Sequence, residues 1–288
     1  MGNFLTSLFY KNREEFNLDD EEITSNPIEE IKIKNFMFSE NNLHKKAILI
    51  GVNYNDDDDM SNDLYGCEND MNNLSNWIKK KCYFSDNNIL KLNSKNSTKN
   101  RIINELSYMV EYANIHKNSE LWLSFSGHGT YTHSKEEKDK YNEGICPSDY
   151  YEMGIITDDY LNREFINRLP NDAKLFILMD CCHSGSNMDL PYYCKENTVE
   201  KREDVTNIPK ASIIKLSGCL DSQVSIDYYN VKSQKYQGAF TTSFINNFSN
   251  LDMKSLVSNI NENLRKYEFS QISELALSEV SLCEYKLI

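Results

Sequence analysis

Leu175-Phe176-Ile177-Leu178-Met179-Asp180-Cys181-Cys182-His183-Ser184-Gly185 decides the fold. Five apolar residues run without interruption into an aspartate and two thiols, bounded by Pro170-Asn171-Asp172 and Ser184-Gly185. Such a run predicts a strand buried on both faces. Its carboxyl end carries Cys181 and Cys182 to the edge of the sheet, where open α/β folds place their ligand crevices. A second stretch repeats the design: Leu121-Trp122-Leu123-Ser124-Phe125 ends in Ser126-Gly127-His128-Gly129. Glycines on both sides of the histidine let a substrate backbone come close. His128 and Cys182 lie 54 positions apart, and together they point to a cysteine–histidine nucleophilic pair.

Outward from these strands, apolar segments recur from about Lys45 to the C-terminus with no Pro/Gly/Ser-rich linker. Lys46–Tyr54 opens the core as a strand, and Met71, Leu74, Trp77 and Ile78 form the stripe of a first helix. Asn88–Leu92 predicts a strand, and Ile102, Leu106, Met109, Val110 and Ala113 a second helix capped by Ser97 or Thr98. Residues 130–149 read as a polar loop. A third helix begins near Thr157, with Leu161, Phe165 and Leu169 on one side. Residues 186–210 read as a long loop, then come a strand at Ala211–Cys219, helices at Phe240–Phe248 and Leu256–Leu264, and a last strand at Ser281–Leu287. The alternation predicts an α/β/α sandwich of three layers around a mostly parallel sheet. Residues 1–43 are polar and acidic and form an arm or pro-segment; residues 44–288 form the one domain.

Composition narrows the function. The 288 residues are 40% hydrophobic, enough for a substantial core. A net charge of −13 argues against a nucleic-acid partner and is compatible with cationic substrates or a divalent cation. Eight cysteines are scattered without a CxxC repeat, no secretory signal is legible, and no apolar run reaches membrane-span length. These features predict a reducing, cytoplasmic setting. Met1-Gly2-Asn3-Phe4-Leu5-Thr6 fits a myristoylation pattern, but the basic residues that would reinforce a lipid anchor are missing. Membrane association is therefore expected only if Gly2 is myristoylated. The run Asp56–Asp59 reads as a solvated loop.

A cysteine attacks as its thiolate, which a neighbouring imidazolium stabilises, and the same imidazole can protonate the leaving amine. The backbone N–H groups of Gly129 and Cys182, in tight turns beside the reacting atoms, are candidates for an oxyanion hole. Taken singly, His128 reads as a satisfied surface or core histidine and Cys182 as an inert thiol; jointly, at two strand ends, they favour catalysis. Side chains alternate along a strand, so only one of Cys181 and Cys182 faces the crevice, and the pattern alone leaves the choice open. Consecutive Cys181, Cys182 and His183 make a poor zinc site, and no P-loop or dinucleotide fingerprint is present. Asp70, near a helix start, reads by itself as a cap or first-turn charge.

Ser126-Gly127-His128-Gly129 and Asp180-Cys181-Cys182-His183-Ser184-Gly185 resemble the metacaspases, cysteine peptidases of the caspase-like fold. Gly51-Val52-Asn53-Tyr54, Gly66-Cys67-Glu68-Asn69-Asp70, Ile156-Thr157-Asp158-Asp159, Ser217-Gly218-Cys219 with Asp221, Gln223 and Ser225, and Gly238-Ala239-Phe240-Thr241 resemble further family blocks in family order. The likeness covers roughly residues 45–288. It implies Cys182 as nucleophile and His128 as its partner. It also implies cleavage after Arg or Lys, with Asp70 and Asp180 binding the basic side chain and Ser126 beside them, in place of the capping role for Asp70. Paired carboxylates suit a desolvated guanidinium.

The resemblance further implies calcium stimulation through Asp158, Asp159 and Asp189. The fourth family position, usually aspartate, is Asn142 here; one charge is lost, which predicts weaker calcium binding. Helix capping by Asp158 is the competing reading. Self-cleavage in a loop is implied too, with Lys195, Lys201, Arg202 and Lys210 as candidate cuts. The chain resembles the compact members of the family, without a long prodomain, and its partners are protein or peptide substrates. No dimerising edge is legible, so a monomer is expected. Two other readings stand beside this one: a catalytically silent scaffold of the same fold, and an Asp-specific caspase-like peptidase, which would need basic residues in the pocket.

Overall fold

The computed structural model describes residues 36–55, 62–133, 141–182, 188–195, 198–203, 205, 207–219, 227–231, 233–248 and 251–287. The Gly2 motif, the Asp56–Asp59 run, His183, Asp221, Gln223 and Ser225 lie outside the described residues. In chain order the strands are β1 (Lys45–Gly51), β2 (Ile89–Leu92), β3 (Glu120–Ser126), β4 (Gly129–His133), β5 (Tyr141–Ile145), β6 (Ile156–Thr157) and β7 (Lys174–Asp180). They continue with β8 (Tyr192–Lys195), β9 (Thr198–Lys201), β10 (Ser212–Ser217), β11 (Asp227–Asn230), β12 (Lys235–Gly238) and β13 (Glu274–Leu277). The helices are α1 (Cys67–Lys81), α2 (Lys99–Ile115), α3 (Tyr150–Met153), α4 (Asp158–Glu164), α5 (Ala239–Asn247) and α6 (Met253–Lys266).

Eight strands form the central sheet in the order β2-β1-β3-β7-β10-β13-β8-β9. The first five are mutually parallel, and β13, β8 and β9 add an antiparallel edge. Alternation along the central strands feeds two cores. Ile48, Ile50, Leu123, Phe125, Leu175, Ile177 and Met179 pack with α2 and α4 on one face. Ala47, Leu49, Trp122, Phe176, Leu178 and Leu216 pack with α1, α5 and α6 on the other. The central strands are apolar at nearly every position because both of their faces are covered. The chain is thus a three-layer α/β/α sandwich.

Several boundaries differ from the sequence reading. The stretch read as a polar loop at 130–149 contains the hairpin β4–β5, and the long loop at 186–210 contains β8–β9. The described parts of β9 are mostly exposed, so no buried face marks the strand with apolar alternation. The expected last strand at 281–287 is a 3₁₀ turn over Val280–Glu284, with one bridge from Lys286 to Asp252; the final strand is β13. Leu282, Cys283 and Leu287 are buried beneath that turn, so the apolar spacing was real but belonged to a coil packed on the sheet. The third helix ends at Glu164 and passes into a 3₁₀ turn over Ile166–Arg168.

Phe36 and Phe38 are both buried in the α1/α5/α6 core, and Phe38 N–H donates to the Leu287 carbonyl at 3.0 Å. Core packing therefore reaches into the stretch assigned from sequence to the N-terminal arm. At this end of the sheet Lys45 pairs with Glu120, both fully buried, and Ser39 N–H donates to each Glu120 oxygen at 3.1 Å.

Candidate active site

Strands β3 and β7 are parallel neighbours with Ser126 paired to Asp180. His128 and Cys182 each lie two residues beyond that pair, so the sheet delivers the imidazole and the thiol to adjacent strand ends. Cys181 is fully buried in the α2/α4 core, whereas Cys182 is partly exposed. The alternation rule left this choice open, and burial now separates the two thiols. Gly127 N–H donates to the Asp180 carbonyl at 3.2 Å, tying the two turns together. A side chain at Gly129 would collide with the Cys182 carbonyl, so this close approach requires glycine.

Neighbouring groups fix the imidazole. Its Nε2 lies 2.7 Å from the Asn62 carbonyl oxygen. A carbonyl can only accept, so Nε2 carries the hydrogen and Nδ1 is left able to take a proton. The Tyr54 hydroxyl accepts from His128 N–H at 2.9 Å and donates to the Cys146 carbonyl at 2.6 Å. The Tyr54 ring lies against the imidazole, centroids 4.6 Å apart, and Cys146 N–H donates to the His128 carbonyl at 3.0 Å. Burial, with Cys182 nearby, pushes the Cys146 thiol up to about 12, so it stays protonated. Neither Asn62 nor Tyr54 was singled out for this role from sequence. A backbone carbonyl leaves no residue signature, and Tyr54 read as the end of a core strand.

Beneath the strand ends, on the α1/α5 face, lie the three residues expected to bind a basic side chain. Asp70, Ser126 and Asp180 are all buried, at 2%, 7% and 5% exposure. Asp70 Oδ2 accepts from Gly238 N–H at 2.8 Å and from the Ser126 hydroxyl at 3.4 Å. Asp180 Oδ2 accepts from the Thr241 N–H at 3.0 Å and its hydroxyl at 2.7 Å, holding the first turn of α5. Asp70 does not cap α1: the cap position is Gly66, and no side chain bonds there. Its other oxygen, Oδ1, is buried with no hydrogen-bond partner among the described residues. Burial first, and then the charge of Asp180, hold the Asp70 carboxyl well above the usual range. The Cys67 thiol, buried within hydrogen-bond reach of Ser126, completes this wall. The partners described above are amides and hydroxyls, none of which carries a positive charge. The arrangement suits a cationic ligand.

A second acidic group lies at the start of α4. Thr157 Oγ1 caps that helix, accepting from Tyr160 N–H at 3.3 Å, while Asp158 Oδ1 accepts from Asp159 N–H at 2.9 Å. Asn142 on β5 donates its amide to Asp159 Oδ2 at 2.8 Å, and its own Oδ1 is buried with no partner among the described residues. Asp189 sits in a left-handed turn, φ 42° after Met188 at φ 74°, and its charge reaches Asp158. Burial, then Asp189, push the Asp158 carboxyl up to about 8. The structure thus brings all four expected calcium ligands into one neighbourhood. Among the described residues no three His, Cys, Asp or Glu side chains are already gathered as a metal-binding group. The orphaned Asn142 oxygen and the crowded carboxylates fit a hard divalent cation, with ligand closure left to its arrival.

A family model described as metacaspase, peptidase C14 domain, matches residues 45–191. Metacaspase-2 of Arabidopsis thaliana is 31% identical over 218 residues, covering 70% of this chain. The chain spans about half of that relative's length, 51%. Metacaspase-3 of Trypanosoma brucei brucei is 30% identical over 258 residues, which cover 81% of this chain and 71% of the relative. A crystal structure of protein GSU0716 from Geobacter sulfurreducens superposes with a TM-score of 0.61 over 84% of this chain and 97% of its own, at 20% identity. That likeness concerns the fold.

Proposed function

We propose, from the premise that the chain belongs to the metacaspase family of cysteine-type endopeptidases, that it cleaves proteins and peptides after arginine or lysine through Cys182 and His128. The observation that carries this reading is the buried Asp70 carboxyl beside Asp180, its Oδ1 without a partner among the described residues, directly below the strand ends that bear the thiol and the imidazole.

The chemistry follows from the positions. The substrate's basic side chain enters between Asp70 and Asp180, which sets its carbonyl over Cys182. The Cys182 thiol gives its proton to His128 Nδ1, while Nε2–H stays on the Asn62 carbonyl. The sulfur attacks the carbonyl carbon, and the Gly129 and Cys182 N–H groups receive the oxyanion. Collapse of the tetrahedral adduct breaks the C–N bond, and His128 returns the proton to the leaving amine. A water deprotonated by His128 then hydrolyses the thioester, and the thiol is restored.

Calcium, held by Asp158, Asp159, Asp189 and the Asn142 oxygen, would supply positive charge that relieves the repulsion among these carboxylates. The chain's own part is to hold three acids and one amide close enough to receive it. Self-cleavage in the 195–210 stretch, a monomeric state and a cytoplasmic setting belong to the same proposal. Among the described residues no helix is long and apolar enough to cross a membrane.

Fluorogenic peptides ending in Arg, Lys or Asp test the reading, assayed across a calcium titration beside Cys182→Ala. Expected is turnover of the basic peptides by wild type alone. Equal inactivity of wild type and variant at every calcium level returns the chain to the scaffold reading. Faster turnover of Asp-ending peptides makes it an Asp-specific enzyme.

A further inference from the structure

A third carboxylate meets the same pocket from the far end of the chain. Asp227 opens β11 and stands directly across from Gly238 on β12. Gly238 is also where the other two acids converge: a methyl group there would run into both Asp70 Oδ2 and Asp180 Oδ2. Asp227 Oδ2 accepts from Tyr65 N–H at 2.7 Å and Gly66 N–H at 3.0 Å. Its Oδ1 is buried with no hydrogen-bond partner among the described residues and presses on Gly66, where no side chain would fit. Asp227 and Asp70 are therefore built alike. In each, one oxygen accepts two hydrogen bonds, from two amides at Asp227 and from an amide and a hydroxyl at Asp70, and the other is buried with no partner among the described residues.

Holding the Tyr65–Gly66 turn does not explain this second oxygen. One acceptor satisfies both amides, and a buried acceptor left without a donor costs the fold free energy. The cost is recovered when a ligand brings donors. Two unmatched oxygens on separate carboxylates, with the Asp180 charge acting on both, ask for several N–H groups spread over a plane. A guanidinium offers five in a fixed fork and is weakly hydrated, whereas an ammonium is a compact, strongly hydrated point charge.

We propose that Asp227 contacts the substrate as a third acidic wall of the pocket and makes it select arginine over lysine. The proposal rests on the reading of the pocket as the site of a basic side chain. Sequence patterning gave no sign of Asp227, because it opens a short, half-exposed hairpin whose register with Gly238 is visible only in the fold.

Matched Arg- and Lys-ending peptides, compared in wild type and Asp227→Asn, test it. The amide oxygen of asparagine can still receive the Tyr65 and Gly66 N–H groups, while its NH₂ replaces the unmatched acceptor with a donor. Expected in wild type is a kcat/KM at least about 10-fold higher for Arg than for Lys. In the variant the Arg value falls about 10- to 100-fold, mainly through KM, and the Arg/Lys ratio moves toward one. An unchanged ratio in an otherwise active variant overturns the role of Asp227 and leaves the pocket reading intact. If wild type cleaves neither basic peptide, the pocket reading fails and Asp227 with it. Should the variant not melt cooperatively, wild-type melting with agmatine against n-butylamine decides: a larger shift with agmatine supports guanidinium selection, and equal shifts overturn it.

Discussion

Asp70 and Asp180 reach the same backbone position, Gly238, one from helix α1 and the other from strand β7. The contact is possible only because Gly238 has no side chain. It leaves two carboxylates in a dry space, supported by the Gly238 amide, Ser126 and Thr241. Evolution of stability alone would replace such a pair with apolar residues, so its presence speaks for binding a cation.

The free protein should therefore become more stable when Asp70 is neutralised. Burial and Asp180 raise the Asp70 carboxyl, so the folded chain keeps a proton there that the unfolded chain releases. With the folded value above the unfolded one for an acid, stability declines as pH climbs from about 4 through the raised value. Asp70→Asn removes this decline. Expected is a higher melting temperature than wild type near pH 7.5, with the gap closing toward pH 4.5, and a loss of about 100-fold or more in kcat/KM on Arg peptides. A variant that melts lower than wild type across this range would contradict the raised Asp70 carboxyl.

The Tyr54 hydroxyl links the turn bearing His128 to the chain bearing Cys146. Removing it in Tyr54→Phe strands the part-buried His128 N–H and the buried Cys146 carbonyl while leaving the ring in contact with the imidazole. Such a loss costs about 1–3 kcal/mol. Expected is a lowered melting temperature and a kcat reduced about 10-fold with KM nearly unchanged, because the histidine is displaced while the carboxylate pocket is intact. A change confined to KM would place Tyr54 with substrate binding instead.

What could be read from the residues depended on which signal they carried. The central strands were legible because both faces are covered, so burial wrote itself into Leu175–Met179 and Leu121–Phe125 as unbroken apolar runs. The hairpins β4–β5 and β8–β9 were missed. They lie outside the doubly covered part of the sheet, and polar strands carry no periodic mark. Within the site, His128 and Cys182 stood out through their flanking glycines and neighbouring thiol. Asp70, Asp180 and the Asn142 group were assigned through family likeness, since charge in a sequence does not reveal burial. Asp227 and the Asn62 carbonyl depend on long-range register and backbone geometry, to which composition and motif are blind.

The proposed self-cleavage sites differ in access. Arg202 is paired with Glu274 at 2.9 Å and lies over the Tyr193 ring, 5.0 Å to the centroid. Lys201 belongs to the sheet-edge strand β9, whereas Lys210 is exposed at the close of an irregular stretch. Proteases take extended, unpaired chain, so Lys210 is the expected first cut and Arg202 the last. Intact-mass analysis after activation should show a break after Lys210 that Lys210→Ala removes. A first break after Arg202 would require the β8–β9 edge to open before cleavage.

The acidic group beside α4 makes a separate prediction about calcium affinity. Asn142 supplies one buried oxygen with no partner among the described residues, yet its amide also donates to Asp159 and softens the repulsion there. Asn142→Asp exchanges that donor for a fourth negative charge. Without calcium the variant must set one more carboxylate against Asp159, beside Asp158, whose carboxyl burial and Asp189 already push up to about 8, so it should melt below wild type. With calcium the added charge becomes a ligand, and the dissociation constant should tighten about 10-fold. Because a bound ion stabilises the folded state by RT ln(1 + [L]/Kd), the two melting curves should cross as calcium is raised. Calorimetric titration gives the affinity directly, without recourse to catalysis. Parallel curves that never cross, or equal affinities, would remove Asn142 from the calcium site and leave its contact with Asp159 as a purely structural bond.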